Sequence, residues 1–239
     1  MCFSASASFG ASAILAVIGV ASLKKVQTSS QLLFALFPIV FAIQQFTEGF
    51  VWITITNSNY QYWQSFPIYT FIFFAQVLWP TWVPLSFYLI EKNSTRRKII
   101  FAFVLIGSCI SLLHFHNLIF FNVSASIMPY HIYYDLDFPL KHDLIMESLY
   151  LLTIIVPPFI SSINRAYILG ILLLLSFLIT KLYFSDYIIS VWCFFAALIS
   201  AIVYLIMKNL KENDKLRGIA PDFIKLKSTR VSFFSNNKL

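Results

Sequence analysis

Seven apolar segments follow one another along this chain, each long enough to cross a lipid bilayer as a helix. About 20 apolar residues are needed for one crossing. Charged residues make up only 11% of the sequence, whereas a soluble domain contains roughly 25%. The segments cover approximately residues 3–23, 31–56, 66–90, 99–121, 143–163, 166–184 and 187–207. The sequence therefore predicts an all-α integral membrane protein with seven transmembrane helices.

The chain divides into two parts by composition. Residues 1–208 hold all seven apolar segments and are predicted to form one transmembrane domain. Residues 209–239 are polar and basic and are predicted to form a tail, which Pro221 interrupts. The connection over residues 122–142 is the longest between segments, and its aromatic content is higher than that of a disordered linker.

The distribution of basic residues predicts the orientation, because cytoplasmic loops are enriched in Lys and Arg. With seven crossings, 15 of the 17 Lys and Arg residues fall on one side, and only Lys141 and Lys181 fall on the other. The N-terminus is therefore expected outside and the C-terminus in the cytoplasm. The net charge of +7 is explained by basic residues that lie against the anionic inner leaflet. We therefore expect the bilayer as a partner and no nucleic acid.

Small residues and prolines predict two local features of the bundle. The first segment begins with a serine-rich run, Ser4, Ser6, Ser8 and Ser12, which would allow another helix to approach closely. The third segment contains Pro80 and Pro84, which remove backbone donors and predict a kink.

The second segment carries the main polar feature inside an apolar run. At helical spacing Gln44, Glu48 and Trp52 form one stripe, and Gln45 lies one turn before Glu48. A charged group near the bilayer centre costs about 3 kcal/mol, so such groups normally face the interior of a bundle. Two alternatives stay open for Glu48. It either holds helices together through hydrogen bonds to Gln45 and a serine or tyrosine, or it serves as a ligand or general base.

The predicted topology brings further reactive side chains to the outer face. The sequence thus predicts an outward-facing polar pocket around Glu48 and His131. The remaining side chains assigned to it are Gln44, Gln45, Trp52, Ser4, Tyr133 and Trp192.

A metal site is one hypothesis for this pocket. Cys2, Glu48, His131 and Cys193 are chemically adequate ligands for zinc or a related transition metal, although no metal-binding spacing such as HExxH is present. For Cys2 and Cys193, unpaired thiols are favoured over a disulfide, and both alternatives stay open beside the metal. His114 and His116 point about 200° apart on a helix and are predicted to be packing histidines.

Four stretches resemble an uncharacterised bacterial family of multi-pass membrane proteins, a domain of unknown function. They are the opening Met-Cys-Phe-Ser-Ala-Ser-Ala-Ser-Phe, Phe-Ala-Ile-Gln-Gln-Phe-Thr-Glu at 41–48, His-Ile-Tyr at 131–133 and Ser-Val-Trp-Cys at 190–193. The resemblance covers all seven segments but not the basic tail. It implies a multi-pass protein of the cell inner membrane and no established activity.

Missing residues exclude one function and count against another. A retinal pigment needs a lysine within the last segment, and none lies between Tyr187 and Met207. A channel or proton-coupled transporter would place ionisable groups through the full membrane depth, whereas here the inner half is nearly all apolar.

Two hypotheses remain for the function. The first is a module that binds or senses a metal ion or a small amphipathic ligand. The alternative is a membrane-embedded, metal-dependent hydrolase or transferase acting on an outer-leaflet lipid, with Glu48 or His131 as acid or base and Cys2 or Ser4 as nucleophile.

Overall fold

The computed structural model describes residues 4–128, 131–139, 143–192 and 195–212, and these are mostly helical. Six helical segments are long and apolar enough to cross a membrane, which makes the chain a membrane protein. They are Ala5–Leu23, Ser29–Thr56, Ser65–Ile90, Ser94–Phe120, Ala166–Tyr183 and Ile188–Glu212. The fifth predicted segment forms a shorter apolar helix of 17 residues, Leu144–Ile160.

The individual elements are named in chain order. They are α1 (Ala5–Leu23), α2 (Leu32–Ala35), α3 (Phe37–Thr56), α4 (Ser65–Ile72), α5 (Trp79–Ile90), α6 (Ser94–Phe120), β1 (Val123–Met128), β2 (His131–Leu136), α7 (Leu144–Ile160), α8 (Ala166–Tyr183) and α9 (Ile188–Trp192). Helix α9 opens the last span, Ile188–Glu212. This span continues past the predicted domain boundary at residue 208, and the rest of the predicted tail lies outside the described residues.

Helices α1 and α3 pack closely because α1 presents small residues to its neighbour. Ser8 and Ser12 are buried, and the Ser12 hydroxyl donates a 2.8 Å hydrogen bond to the Ala42 carbonyl oxygen of α3. A Cβ atom on Gly19 would overlap the Ile39 side chain. The predicted close approach of another helix to the serine-rich segment is therefore confirmed.

The third span changes its helical geometry just before its first proline. Between α4 and α5, residues Phe73–Leu78 form a π-helical turn. Pro80 has no N–H to donate to the carbonyl of residue 76, so the α-helical hydrogen-bond pattern cannot continue through this point. A π turn is one of the recognised ways in which a helix accommodates such a break. Helix α6 crosses here, and a Cβ on Gly107 would overlap the Pro80 carbonyl oxygen.

The long connection after α6 contains a β-hairpin, which the sequence did not predict. Strands β1 and β2 are antiparallel, with Val123 opposite Leu136 and Met128 opposite His131. Ile132, Tyr134 and Leu136 alternate along β2 and are buried. The Tyr134 ring stacks on Phe71 of α4 at a centroid distance of 4.9 Å. The hairpin is therefore anchored on the end of the helical bundle.

Glu91 connects two turns at the opposite end of the bundle. Its side chain is buried after α5 and accepts hydrogen bonds from the Ser161 hydroxyl at 3.0 Å and from the Ser162 N–H at 2.6 Å. The Ser162 hydroxyl and the Asn93 N–H donate to its other oxygen. Burial by itself would raise the pKa of Glu91, but these hydrogen bonds, led by those from Ser162, hold it below the ordinary value.

Replacing Glu91 by Gln tests this connection. Because the pKa is lower in the folded than in the unfolded chain, the charged form stabilises the fold. This contribution is full above the ordinary glutamate pKa of about 4.3 and is lost as the pH falls through the folded value. We expect Glu91→Gln to cost about 2 kcal/mol at neutral pH and the deficit to shrink in acid. Thermal unfolding of the detergent-purified protein across pH 3 to 8 measures this. The exposed carboxylate Glu212→Gln is the control, and a deficit independent of pH would contradict the assignment.

Candidate functional site: a cavity between the helices

A cavity of about 480 Å³ lies among α3, α5, α7, α8, β2 and the last span. Its volume is within the range of about 300 to 1,000 Å³ found for small-molecule sites. One face of α8 forms a continuous wall, with Leu169, Leu173, Phe177 and Lys181 spaced four residues apart. From Leu169 to Lys181 this wall is about 18 Å long at 1.5 Å per residue. The cavity is therefore elongated along the helix axes, with an apolar lower part and a charged upper end.

The charged end lies under the hairpin and contains an ion pair between two helices. Lys181 Nζ of α8 is 2.5 Å from Glu147 Oε1 of α7, and both side chains are partly exposed. Tyr133 and Asp135 of β2 line the same cavity. An ion pair with this exposure contributes little to stability, about 0 to 1 kcal/mol. Its two charges are accordingly accessible to a bound molecule at little cost to the fold.

Aromatic side chains form much of the middle of the cavity. Trp79 donates its indole N–H to Gln44 Oε1 at 2.9 Å, and its ring stacks on Phe41 at 4.3 Å. Trp192 donates to the Ser176 hydroxyl at 2.8 Å. Because their polar atoms are already hydrogen-bonded within the protein, these rings offer apolar surface to the cavity.

Two other polar side chains in the lining were missed by the sequence analysis. Gln76 reaches the cavity from the π-helical turn, and His114 reaches it from α6. The His114 ring lies 6.3 Å from both the Tyr150 and the Phe138 ring. His116 instead is exposed and packs beside Phe120. The opposite directions of the two histidines were predicted, but His114 lines a cavity where only packing was expected.

Glu48 lies beside this cavity rather than in its lining. Its carboxylate is fully buried and accepts a 2.6 Å hydrogen bond from the Ser190 hydroxyl and a 3.1 Å bond from Gln45 Nε2. Ser190 belongs to the last span, so the carboxylate links helices from opposite ends of the chain. Of the polar stripe predicted on α3, Gln44 reaches the cavity. The geometry of Glu48 matches the interhelical alternative stated for it above.

The remaining predicted site residues are distributed around the hairpin. Tyr133 and Trp192 line the cavity with Gln44, whereas His131 and Trp52 do not. His131 is buried, its ring stacked on Tyr187 at 5.0 Å, and this burial lowers its pKa. Trp52 packs in the apolar cluster beneath the hairpin. Ser4 caps α1, since its hydroxyl accepts a hydrogen bond from the Ala7 N–H.

The metal hypothesis stays a prediction. Two of its four ligands, Cys2 and Cys193, lie outside the described residues, as does any disulfide between them. Within residues 4–128, 131–139, 143–192 and 195–212, no group of three or more His, Cys, Asp or Glu side chains is arranged to hold a metal ion.

The fold and the cavity define a polytopic helical membrane protein with an internal cavity. The chain belongs to DUF6629, a family of unknown function, whose model matches residues 1–217. Comparison with curated proteins and with solved structures gives no match.

The hydrogen bond from Ser190 to Glu48 can be tested against a matched serine of the same span. Ser190→Ala removes a donor from a buried carboxylate and should lower the free energy of unfolding by about 1 to 2 kcal/mol. Ser200 is equally buried, but its hydroxyl has no hydrogen-bond partner in the described part of the chain. Ser200→Ala should therefore leave the melting temperature in detergent unchanged or raise it. Equal losses of stability in the two variants would show that the hydrogen bond from Ser190 to Glu48 does not stabilise the fold.

Proposed function

We propose that this protein binds a small amphipathic molecule within the membrane. The apolar part of the ligand lies along the α8 wall, and its polar head lies between Glu147 and Lys181. The observation that carries this proposal is the cavity itself, which changes from apolar to charged over about 18 Å of α8. An amphipathic molecule likewise has an apolar chain and a polar head. The chain can be buried in the apolar part of the cavity while the head pairs with the charged end.

The proposal includes seven crossings of the cell inner membrane, with the N-terminus outside and the C-terminus in the cytoplasm. Helix α7 has 17 residues, which is at the lower end of the range that spans a bilayer. Contacts at the two ends of the bundle support alternating crossings. Gln64 bonds to Ala125 at the hairpin end, whereas Lys211 bonds to the Lys24 carbonyl at the end that holds Glu91. The basic residues collect at the Glu91 end, so the hairpin end is the outer one.

Labelling with a membrane-impermeant maleimide tests this orientation. Tyr62 is 88% exposed near the hairpin end, and Thr95 is exposed at the start of α6. In intact cells, Tyr62→Cys should be labelled above the wild-type background, and Thr95→Cys only after permeabilisation. Labelling in the reverse order would invert the orientation.

Binding is favoured over catalysis by the position of the carboxylate. Glu48 is fully buried outside the lining, and its oxygens accept hydrogen bonds from Ser190 and Gln45. A general base must reach the proton that it removes from the substrate. The metal-dependent hydrolase or transferase stays a prediction that no contact in the described residues favours.

Filling the cavity tests ligand binding directly. Leu173 lines the cavity and is buried, whereas Leu175 on the same helix is 48% exposed. Leu173→Trp should occupy the space of the apolar chain and weaken binding of a lysophospholipid at least tenfold, and Leu175→Trp should bind as the wild type does. Native mass spectrometry of the detergent-purified protein with added lysophosphatidylethanolamine measures the bound fraction. Undiminished binding by Leu173→Trp would place the ligand elsewhere.

A further inference from the structure

We infer that the occupant of the cavity is an ester-linked glycerophospholipid, full-length or lyso, whose ester carbonyl accepts a hydrogen bond from His114. This inference rests on the proposed function and names its ligand class. It comes from a side chain in the wall whose Nδ1 has no hydrogen-bond partner in the part of the chain that the structure describes.

The two ring nitrogens of His114 have different surroundings. Nδ1 is buried and has no hydrogen-bond partner within the described residues, and the side chain lines the cavity, which leaves Nε2 as the nitrogen that can face a ligand. A neutral imidazole carries one hydrogen, so one nitrogen donates and the other accepts. Buried N–H groups without an acceptor are rarer than unsatisfied acceptors, which favours the tautomer with hydrogen on Nε2. His114 therefore presents a donor to the cavity, and a ligand that fits must present an acceptor.

The depth of this donor relative to the charged end can be read along α7. The His114 ring contacts Tyr150. Tyr150 lies three residues beyond Glu147, about 4.5 Å along the helix axis. The donor thus lies within about one helical turn of the ion pair. Gln76 adds a hydrogen-bonding side chain at the same level, since the carbonyl of its neighbour Ala75 accepts the Tyr150 hydroxyl.

A glycerophospholipid has its polar groups in this order. Its charged head comes first, the ester carbonyls follow, and the acyl chain is last. The layer that holds heads and esters is about 5 to 7 Å thick on each side of a bilayer, which is close to one helical turn. A free fatty acid, in contrast, has its oxygens only at the end of the chain, so it would leave the His114 donor unmatched.

The ion pair suits the head of such a lipid. Lys181 and Glu147 offer charges of both signs at the same end of the cavity, where Asp135 adds a second carboxylate. A zwitterionic head carries a phosphate and an ammonium group. The phosphate can pair with Lys181 and the ammonium group with Glu147 through charge-assisted hydrogen bonds, in place of the pair that the two side chains form with each other. We therefore use lysophosphatidylethanolamine as the probe.

The experiment compares two probes that differ at one position. One is lysophosphatidylethanolamine with an ester-linked palmitoyl chain, and the other is its ether-linked analogue, which lacks the carbonyl. Affinities are measured for the full chain in detergent by native mass spectrometry. The wild type should bind the ester about fivefold more tightly, as expected for one neutral hydrogen bond. His114→Leu should bind both probes equally, and His114→Gln, which keeps an N–H donor, should retain part of the preference.

His116→Leu is the matched control, because His116 lies on the same helix and is exposed. It should keep the wild-type preference for the ester. His114→Met provides a second apolar variant if His114→Leu does not fold. Palmitate, a free fatty acid, is the third probe. A wild type that binds the ester and the ether equally, or palmitate more tightly than either, would overturn the inference and leave the proposed amphiphile site standing. A preference that survives in His114→Leu would overturn the assignment of the donor. A wild type that binds none of the three probes would overturn the proposed function and the inference together.

Discussion

The dominant physical constraint on this protein is that the hydrocarbon core contains no water to satisfy polar groups. Backbone groups meet this constraint by forming helices, and side chains meet it by bonding across them. Ser12 donates to the Ala42 carbonyl, Ser190 donates to Glu48, and Trp192 donates to Ser176. Each bond joins two segments at a defined depth. Polar atoms that such bonds do not satisfy are therefore conspicuous, and the buried Nδ1 of His114 is one of them among the described residues.

Six of the seven predicted segments correspond to helices of spanning length, because length and apolarity are sufficient to define them. The ends differ most, by five residues each, in the last span, which ends at Glu212 rather than near residue 207, and in α6, which begins at Ser94 rather than near residue 99. Asn93 caps this helix by accepting the Arg96 N–H, so the helix starts in the charged turn, before the apolar run. The hairpin could not be predicted in the same way. The alternation in β1, Val-Ser-Ala-Ser-Ile, covers only five residues, and Tyr134 of β2 is buried by Phe71 from a distant segment.

The site was only partly predictable, because a sequence gives the spacing of polar residues but not the helix that each one faces. Gln44 and Glu48 share one stripe of α3, yet Gln44 meets Trp79 at the cavity while Glu48 meets Ser190 beside it. The pairing of Glu147 with Lys181 depends on how α7 and α8 pack and has no local signature. The direction of His114 is likewise set by where α6 lies against its neighbours.

The lower end of the cavity has a further consequence. Below it the bundle is filled by large side chains with almost no exposure, among them Phe34, Phe87 and Met207. The space along α8 is thus closed at one end and covers only about 18 Å of a hydrocarbon core near 30 Å thick. In the proposed function, a ligand would therefore enter and leave at the hairpin end. Such a geometry fits the proposed binding of a molecule within one leaflet.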